Sequence, residues 1–125
     1  MLYYIKYFTI NSTLKYTVKT VKFQGVLYIA KIKIKVIAGS IRPGRFNIQP
    51  ATWIAEIAGK TSNLDVELVD LQELDLPFYN EPKPAMMGNY ELEHTKKWAK
   101  TIGEADGFIF VTGEYNHSYT PVLAN

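Results

Sequence analysis

Cysteine is absent from this chain of 125 residues, which excludes a disulfide framework, a thiolate metal site and any redox role for a thiol. Only two histidines occur, His94 and His117. Neither has a second His or Cys at ligand spacing, so no metal site is expected. Long apolar runs are missing too: Lys6, Lys15, Lys19 and Lys22 interrupt the N-terminal stretch every few residues. With no signal-length or membrane-length segment, a cytoplasmic protein without membrane contact is expected. No internal repeat or low-complexity tract appears. Neither a Gly-x-Gly-x-x-Gly dinucleotide pattern nor a Walker loop ending in Gly-Lys-Ser/Thr is present. Acids are lacking from residues 1–45, which hold seven lysines and two arginines, while residues 46–125 hold five lysines and all twelve acids. A basic arm of that kind suits nucleic acid or an anionic surface. Lysines at alternate positions are equally the solvated face of strands, and that reading is adopted, so no nucleic-acid partner is expected.

What is present supports a single small domain, since 47% of the residues are hydrophobic. Residues 1–32 read as a β-rich basic arm, with the alternation of Lys15 to Phe23 suiting a strand and Asn11-Ser12 and Gln24-Gly25 suiting turns. From Lys31 the run Lys-Ile-Lys-Ile-Lys-Val-Ile-Ala ends abruptly at Gly39-Ser40, as a buried strand entering a ligand loop does. Asn47 is placed to cap a helix whose first turn tolerates Pro50, with Ile48, Ala51, Thr52, Ile54, Ala55 and Ala58 at helical spacing. A second strand is predicted over Val66–Leu71. The proline-rich stretch Leu76–Pro84 is predicted to be irregular. A second helix is predicted from about Tyr90 to Ala105, with Leu92, Trp98 and Ile102 inward, and a third strand over Phe108–Thr112. Strand, helix, strand, helix, strand in alternation makes the fold class α/β, with a parallel sheet and right-handed crossovers.

Two loops carry the chemistry. In an open α/β sheet, ligands bind beyond the carboxyl ends of the strands, where helix N-termini point donors at anions. The first loop, Gly39 to Asn47, offers the Ser40 hydroxyl, the guanidinium groups of Arg42 and Arg45, and the Asn47 amide. Paired arginine donors match phosphate, and glycines permit close backbone approach. The same residues also suit an ordinary polar turn. The second loop, Gly113 to Pro121, sets Glu114, Tyr115, Asn116, His117 and Ser118 beside exposed backbone, which suits a flat heteroaromatic ring with polar edges. A capped strand-to-helix turn is its plain alternative. Glu56, Glu73, Asp75, Glu91, Glu93 and Glu104 read as solvated charges rather than a catalytic carboxylate pair. His94 reads as a surface or interhelical contact, and Trp53 and Trp98 as core or interface anchors.

Gly-Ser-Ile-Arg-Pro-Gly-Arg at 39–45, Leu-Pro-Phe-Tyr-Asn-Glu-Pro at 76–82 and Glu-Tyr-Asn-His-Ser at 114–118 together resemble the signature stretches of the NADPH-dependent FMN reductase family, in the same order and spacing. The resemblance covers roughly residues 33–125. It implies a partial flavodoxin-like sheet of three core strands that binds FMN non-covalently and passes electrons from NADPH or NADH to quinones, free flavin or similar small acceptors. By that resemblance Ser40, Arg42 and Asn47, with Arg45 beside them, hold the FMN phosphate. Glu114, Tyr115, Asn116, His117 and Ser118 form the loop against the isoalloxazine. Phe78 and Tyr79 are candidates for acceptor contacts, and no side chain need act as acid or base. Gly113 stands where the family usually has proline, and residues 1–32 have no counterpart in it. The family continues for two more strands, so the chain reads as an N-terminal portion. Pairing into a homo-oligomer, or with the basic arm of residues 1–32, is expected to cover the edge that this leaves. The competing reading is a non-enzymatic interaction protein with a vestigial flavin fold.

Overall fold

The computed structural model describes residues 5–10, 16–23 and 26–125, with side chains from Ala30 onward. Three strands open the chain, β1 (Ile5–Ile10), β2 (Tyr16–Phe23) and β3 (Val26–Ile29). They form an antiparallel sheet in the order β1-β2-β3, with Ile5 opposite Val21 and Thr20 opposite Ile29. The turns expected at Asn11-Ser12 and Gln24-Gly25 lie outside the described residues.

The second sheet is parallel and carries the candidate site. Its strands are β4 (Ile32–Gly39), β5 (Leu64–Asp70) and β6 (Gly107–Thr112), in the order β5-β4-β6. β4 is central, as its β-branched apolar run requires of a strand covered on both faces. Val36 and Ala38 pack with Ala51 on one face, against the helix α1 (Ile48–Gly59). Ile37 packs on the other with Val69 and Leu71, and with Trp98 and Ile102 of the helix α3 (Glu93–Gly103). Burying each Val or Ile of this kind stabilises the fold by about 1.5–3 kcal/mol. Three strands joined through helices make this an α/β, partial flavodoxin-like sheet.

Several boundaries and roles differ from the sequence expectations for identifiable reasons. β5 stops at Asp70 rather than Leu71, because the Asp70 side chain accepts from the Gln72 amide at 2.9 Å and opens the one-turn helix α2 (Leu71–Leu74). Asn47 does not cap α1. It has helical dihedrals, and its Nδ2 donates to the Val111 carbonyl at 3.3 Å instead. α3 starts at Glu93 rather than near Tyr90, because the Glu81 carboxylate takes the amides of Glu91 and Leu92 at 2.8 and 3.0 Å and holds them extended. Leu92 thus precedes the helix, while Trp98 and Ile102 lie on its inner side as expected. Trp53 is 61% exposed on α1 and anchors no core.

After β6 the chain folds back at once. Tyr115 and Ser118 exchange backbone hydrogen bonds of 2.8 and 3.0 Å around Asn116 (φ 51°) and His117 (φ 64°). Two successive left-handed residues make the mirror-image turn that matches strand twist. Thr120, 1% exposed, donates its hydroxyl to the Gly39 carbonyl and leads into the one-turn helix α4 (Pro121–Ala124). Leu123 then covers Gly39 so closely that a Cβ there would lie 2.5 Å from its Cδ1. Glycine at 39 is what permits this approach.

Two outcomes follow from these local structures. Partial desolvation raises the Glu81 pKa, but the Glu91 amide, the Thr95 hydroxyl and the Leu92 amide outweigh it, so the carboxyl sits below its usual 4.5. A folded pKa below the unfolded one contributes stability above the usual value, lost as pH falls through the folded value. Glu81→Gln should therefore lower the urea midpoint at neutral pH, with the gap to wild type closing as the pH falls through the lowered carboxyl value. His117→Gly should raise stability by about 0.5–1 kcal/mol in thermal or urea unfolding, since it relieves a left-handed side chain. The His117–Glu114 contact of 3.4 Å that it removes is exposed by 98% and 73% on its two sides and adds little.

Candidate functional site

The chain leaves β4 for β5 on one side through α1, and returns to β6 on the other side through α3. A crevice opens where the two connections part, outside the carboxyl ends of β4 and β6. Gly39 and Thr112 are register partners there, so the loops that follow them emerge side by side. Ser40, Arg42, Arg45, Phe46, Asn47 and Pro50 from the first loop line a cleft of about 310 Å³, opposite Val111, Thr112, Gly113, Glu114 and Tyr115. A second hollow of about 410 Å³ adjoins it, sharing Ser40, Arg42 and Tyr115 and adding Ile41, Pro43, Thr120, Pro121 and Val122. Both lie within the ~300–1,000 Å³ usual for small-molecule sites.

The first loop gathers two arginines and small polar side chains at the end of β4. Gly44, at φ 68°, allows the turn that the Arg45 amide closes on the Arg42 carbonyl at 3.0 Å. The Ser40 side chain is 5% exposed residue-wide, and its Oγ accepts from the Arg42 amide at 3.4 Å. Arg42 itself is exposed. The Arg45 side chain is 11% exposed and its Nη2 pairs with Asp70 Oδ2, while Nε and Nη1 are buried with no hydrogen-bond partner. Asn47 Oδ1 is also buried and unpartnered. Leaving a buried polar atom unsatisfied costs about 1–3 kcal/mol, so the two Arg45 donors fit a ligand that accepts from them, whereas Asn47 Oδ1 can only take a hydrogen bond from a donor. The N-terminus of α1 completes the picture: it has no side-chain cap and no acid in its first turn. Its positive dipole end favours negative charge, while Pro50 has no N–H to offer and the Gln49 amide donates to the Phe46 carbonyl at 3.0 Å.

The other sequence candidates fall in different places. Glu114 and Tyr115 line the cleft, whereas Asn116, His117 and Ser118 form the hairpin beyond it, with the His117 side chain in solvent. Phe78 is 82% exposed. Tyr79 lines a separate cavity of about 140 Å³ bounded by Leu71, His94, Trp98 and Leu123, and its hydroxyl donates to the Lys83 carbonyl at 2.7 Å. Burial, then the charges of Glu81 and Tyr90, raise its pKa above 10.0. His94 contacts a loop rather than a helix, its Nε2 lying 3.1 Å from Asn80 Oδ1. Among the described residues no group of His, Cys, Asp or Glu is arranged to hold a metal ion, and no helix is long and apolar enough to cross a membrane. Sequence reasoning missed Asp70 and Thr120. An acid closing a strand, 25 positions from its arginine, gives no local signal of the pairing. Thr120 is likewise joined to Gly39 across 81 positions.

The NADPH-dependent FMN reductase profile matches residues 32–125. An NAD(P)H-dependent FMN reductase of Schizosaccharomyces pombe is 44% identical over 95 residues, covering 74% of this chain and 48% of the relative. A 2-hydroxy-1,4-benzoquinone reductase of Burkholderia sp is 34% identical over 94 residues, covering 75% and 47%. An NAD(P)H:quinone oxidoreductase of Solanum tuberosum is 34% identical over 95 residues, with the same coverage of 75% and 47%. The chain spans about half the length of these curated relatives. A match over all of the parallel sheet, joined to loops gathered at its switch point, is decisive for kinship: the chain belongs to the NADPH-dependent FMN reductase family.

Proposed function

We propose that residues 33–125 supply the phosphate-binding half of an FMN site in an NAD(P)H-dependent oxidoreductase that reduces quinones, free flavin or similar small acceptors. Buried Arg45, with two unpartnered donors beside the uncapped start of α1, is the observation that carries this reading. Arg45 and Arg42 hold the phosphate, with Ser40 and Asn47 shaping the loop around it. Tyr115 and Glu114 border the ring, and the hairpin of Asn116, His117 and Ser118 fixes the path of the backbone there. Gly113 gives that approach freedom which a proline would remove. FMN, when bound, supplies the chemistry, taking a hydride from NADPH or NADH and passing electrons to the acceptor. The chain's own residues orient the flavin and cover part of the cleft. Phe78 and Tyr79 are assigned to the acceptor side on the strength of their stretch alone.

The names of the Burkholderia and Solanum relatives support quinones as acceptors. Assembly as a cytoplasmic homo-oligomer belongs to the same reading. Among the described residues β6 is paired on one side only, and Phe108 and Phe110 stack there with centroids 6.0 Å apart, 38% and 61% exposed. Such an edge invites a further strand. Residues 1–32 are proposed to be an addition outside the flavin-binding unit.

Arg42→Ala should weaken FMN binding by about tenfold or more while leaving riboflavin, which lacks the phosphate, almost unaffected. Flavin fluorescence quenching measures both. An equal loss for the two ligands would remove Arg42 from the phosphate.

A further inference from the structure

We propose that Asp70 is a positioning residue for phosphate recognition, acting through Arg45; this rests on the reading of the cleft as a flavin phosphate site. Asp70 is the last residue of β5, so its carboxylate is mounted on a rigid strand. Both of its oxygens are used. Oδ1 accepts from the Gln72 amide at 2.9 Å, and Oδ2 takes Arg45 Nη2. With one oxygen tied to the backbone at the start of α2, the carboxylate cannot follow a moving partner. It therefore dictates where the guanidinium sits.

The pairing is also incomplete in a telling way. Arginine and carboxylate can share two parallel hydrogen bonds, which would use the guanidinium fork fully. Here one nitrogen is engaged, and Nε and Nη1 remain buried and unpartnered although the side chains are only 11% and 9% exposed. A buried ion pair repays its desolvation only when its remaining donors are also hydrogen-bonded, and here two are not. Asp70 thus removes the rotational freedom of a long side chain and reserves two donors for an anion. A flexible arginine would lose that freedom when the ligand binds, so fixing it beforehand strengthens binding. The same carboxylate caps α2, which leads towards Tyr79, so the anion site and that segment share one anchor.

A carboxylate beside an anion site has a second, opposite effect: its charge repels the phosphate. The two roles differ in sign. If Asp70 merely balanced the charge of Arg45, Asp70→Asn would tighten FMN binding. If it positions Arg45, the same change weakens it.

The test is the ratio of FMN to riboflavin affinity, by fluorescence quenching, in wild type, D70N, R45A and the double variant. Both flavins sample the same folded fraction, so lost stability cancels in the ratio. We expect D70N to lower FMN affinity by about tenfold with riboflavin unchanged. In the R45A background D70N should then have no further effect on the ratio. A ratio that is unchanged or shifted towards FMN in D70N overturns the proposal, as does an equal effect of D70N with and without Arg45. Wild type and R45A that treat the two flavins alike defeat the phosphate reading instead. A flavin-free readout separates the two further: the Arg45 Nε–H resonance should be sharp and slowly exchanging in wild type and broadened in D70N. An identical signal in both proteins would show that Asp70 does not hold the guanidinium.

Discussion

Burial of β4 on both faces is the constraint from which the rest of the site takes its position. Val36, Ile37 and Ala38 are 0%, 1% and 0% exposed, and their alternation sends α1 to one face and α3 to the other. Once helices occupy both faces, the strands that flank β4 must be reached by crossovers on opposite sides, and the crevice between their loops is a geometric consequence. The close approach at Gly39 then seals one flank, because Leu123 lies over it and Thr120 bonds its carbonyl.

The two ends of the sheet treat buried charge differently. At the amino end Lys35, with a side chain 4% exposed, pairs with Glu67 at 2.6 Å and has Glu104 at 3.8 Å. Those acids reach solvent, so the desolvation of the ammonium is offset and the cluster is structural. At the carboxyl end Arg45 is held by Asp70 alone, and two of its donors lack partners. Satisfied charge at one end and unsatisfied charge at the other distinguish a brace from the proposed anion site more clearly than burial does, since both cations are almost equally enclosed.

The loop after α2 is organised by polar contacts rather than by apolar packing. Glu81 binds the amides that precede α3, and the Asn125 side chain accepts from the Tyr79 amide and donates to the Pro77 carbonyl, both at 2.8 Å. Phe78 sits between these two anchored positions and is turned outward, 82% exposed. A segment held in this way keeps a defined path without regular structure, which is why the proline-rich stretch is irregular yet connected to α3 and α4.

Periodicity and residue type were enough to mark three parallel strands, two crossover helices and the two loops at the strand ends, although β6, expected to be buried, leaves Phe108 and Phe110 exposed because it is paired on one side only among the described residues. Alternating β-branched runs and 3.6-residue spacing are local properties that the chain carries with it. That Ser40, Arg42, Arg45 and Asn47 share the loop after β4 was legible for the same reason, and the cleft they line with the loop after β6 is where the structure brings them together. Contacts between distant residues decided the rest. Asp70 ended β5 and seized Arg45, Glu81 delayed α3, Val111 drew Asn47 from its cap, and the hairpin carried His117 and Ser118 away from the cleft. Each joins groups far apart in sequence or selects one of several hydrogen-bond partners that a side chain accepts equally well. Local propensity is silent on such choices, because the free energy that settles them arises only when the sheet has brought the partners together.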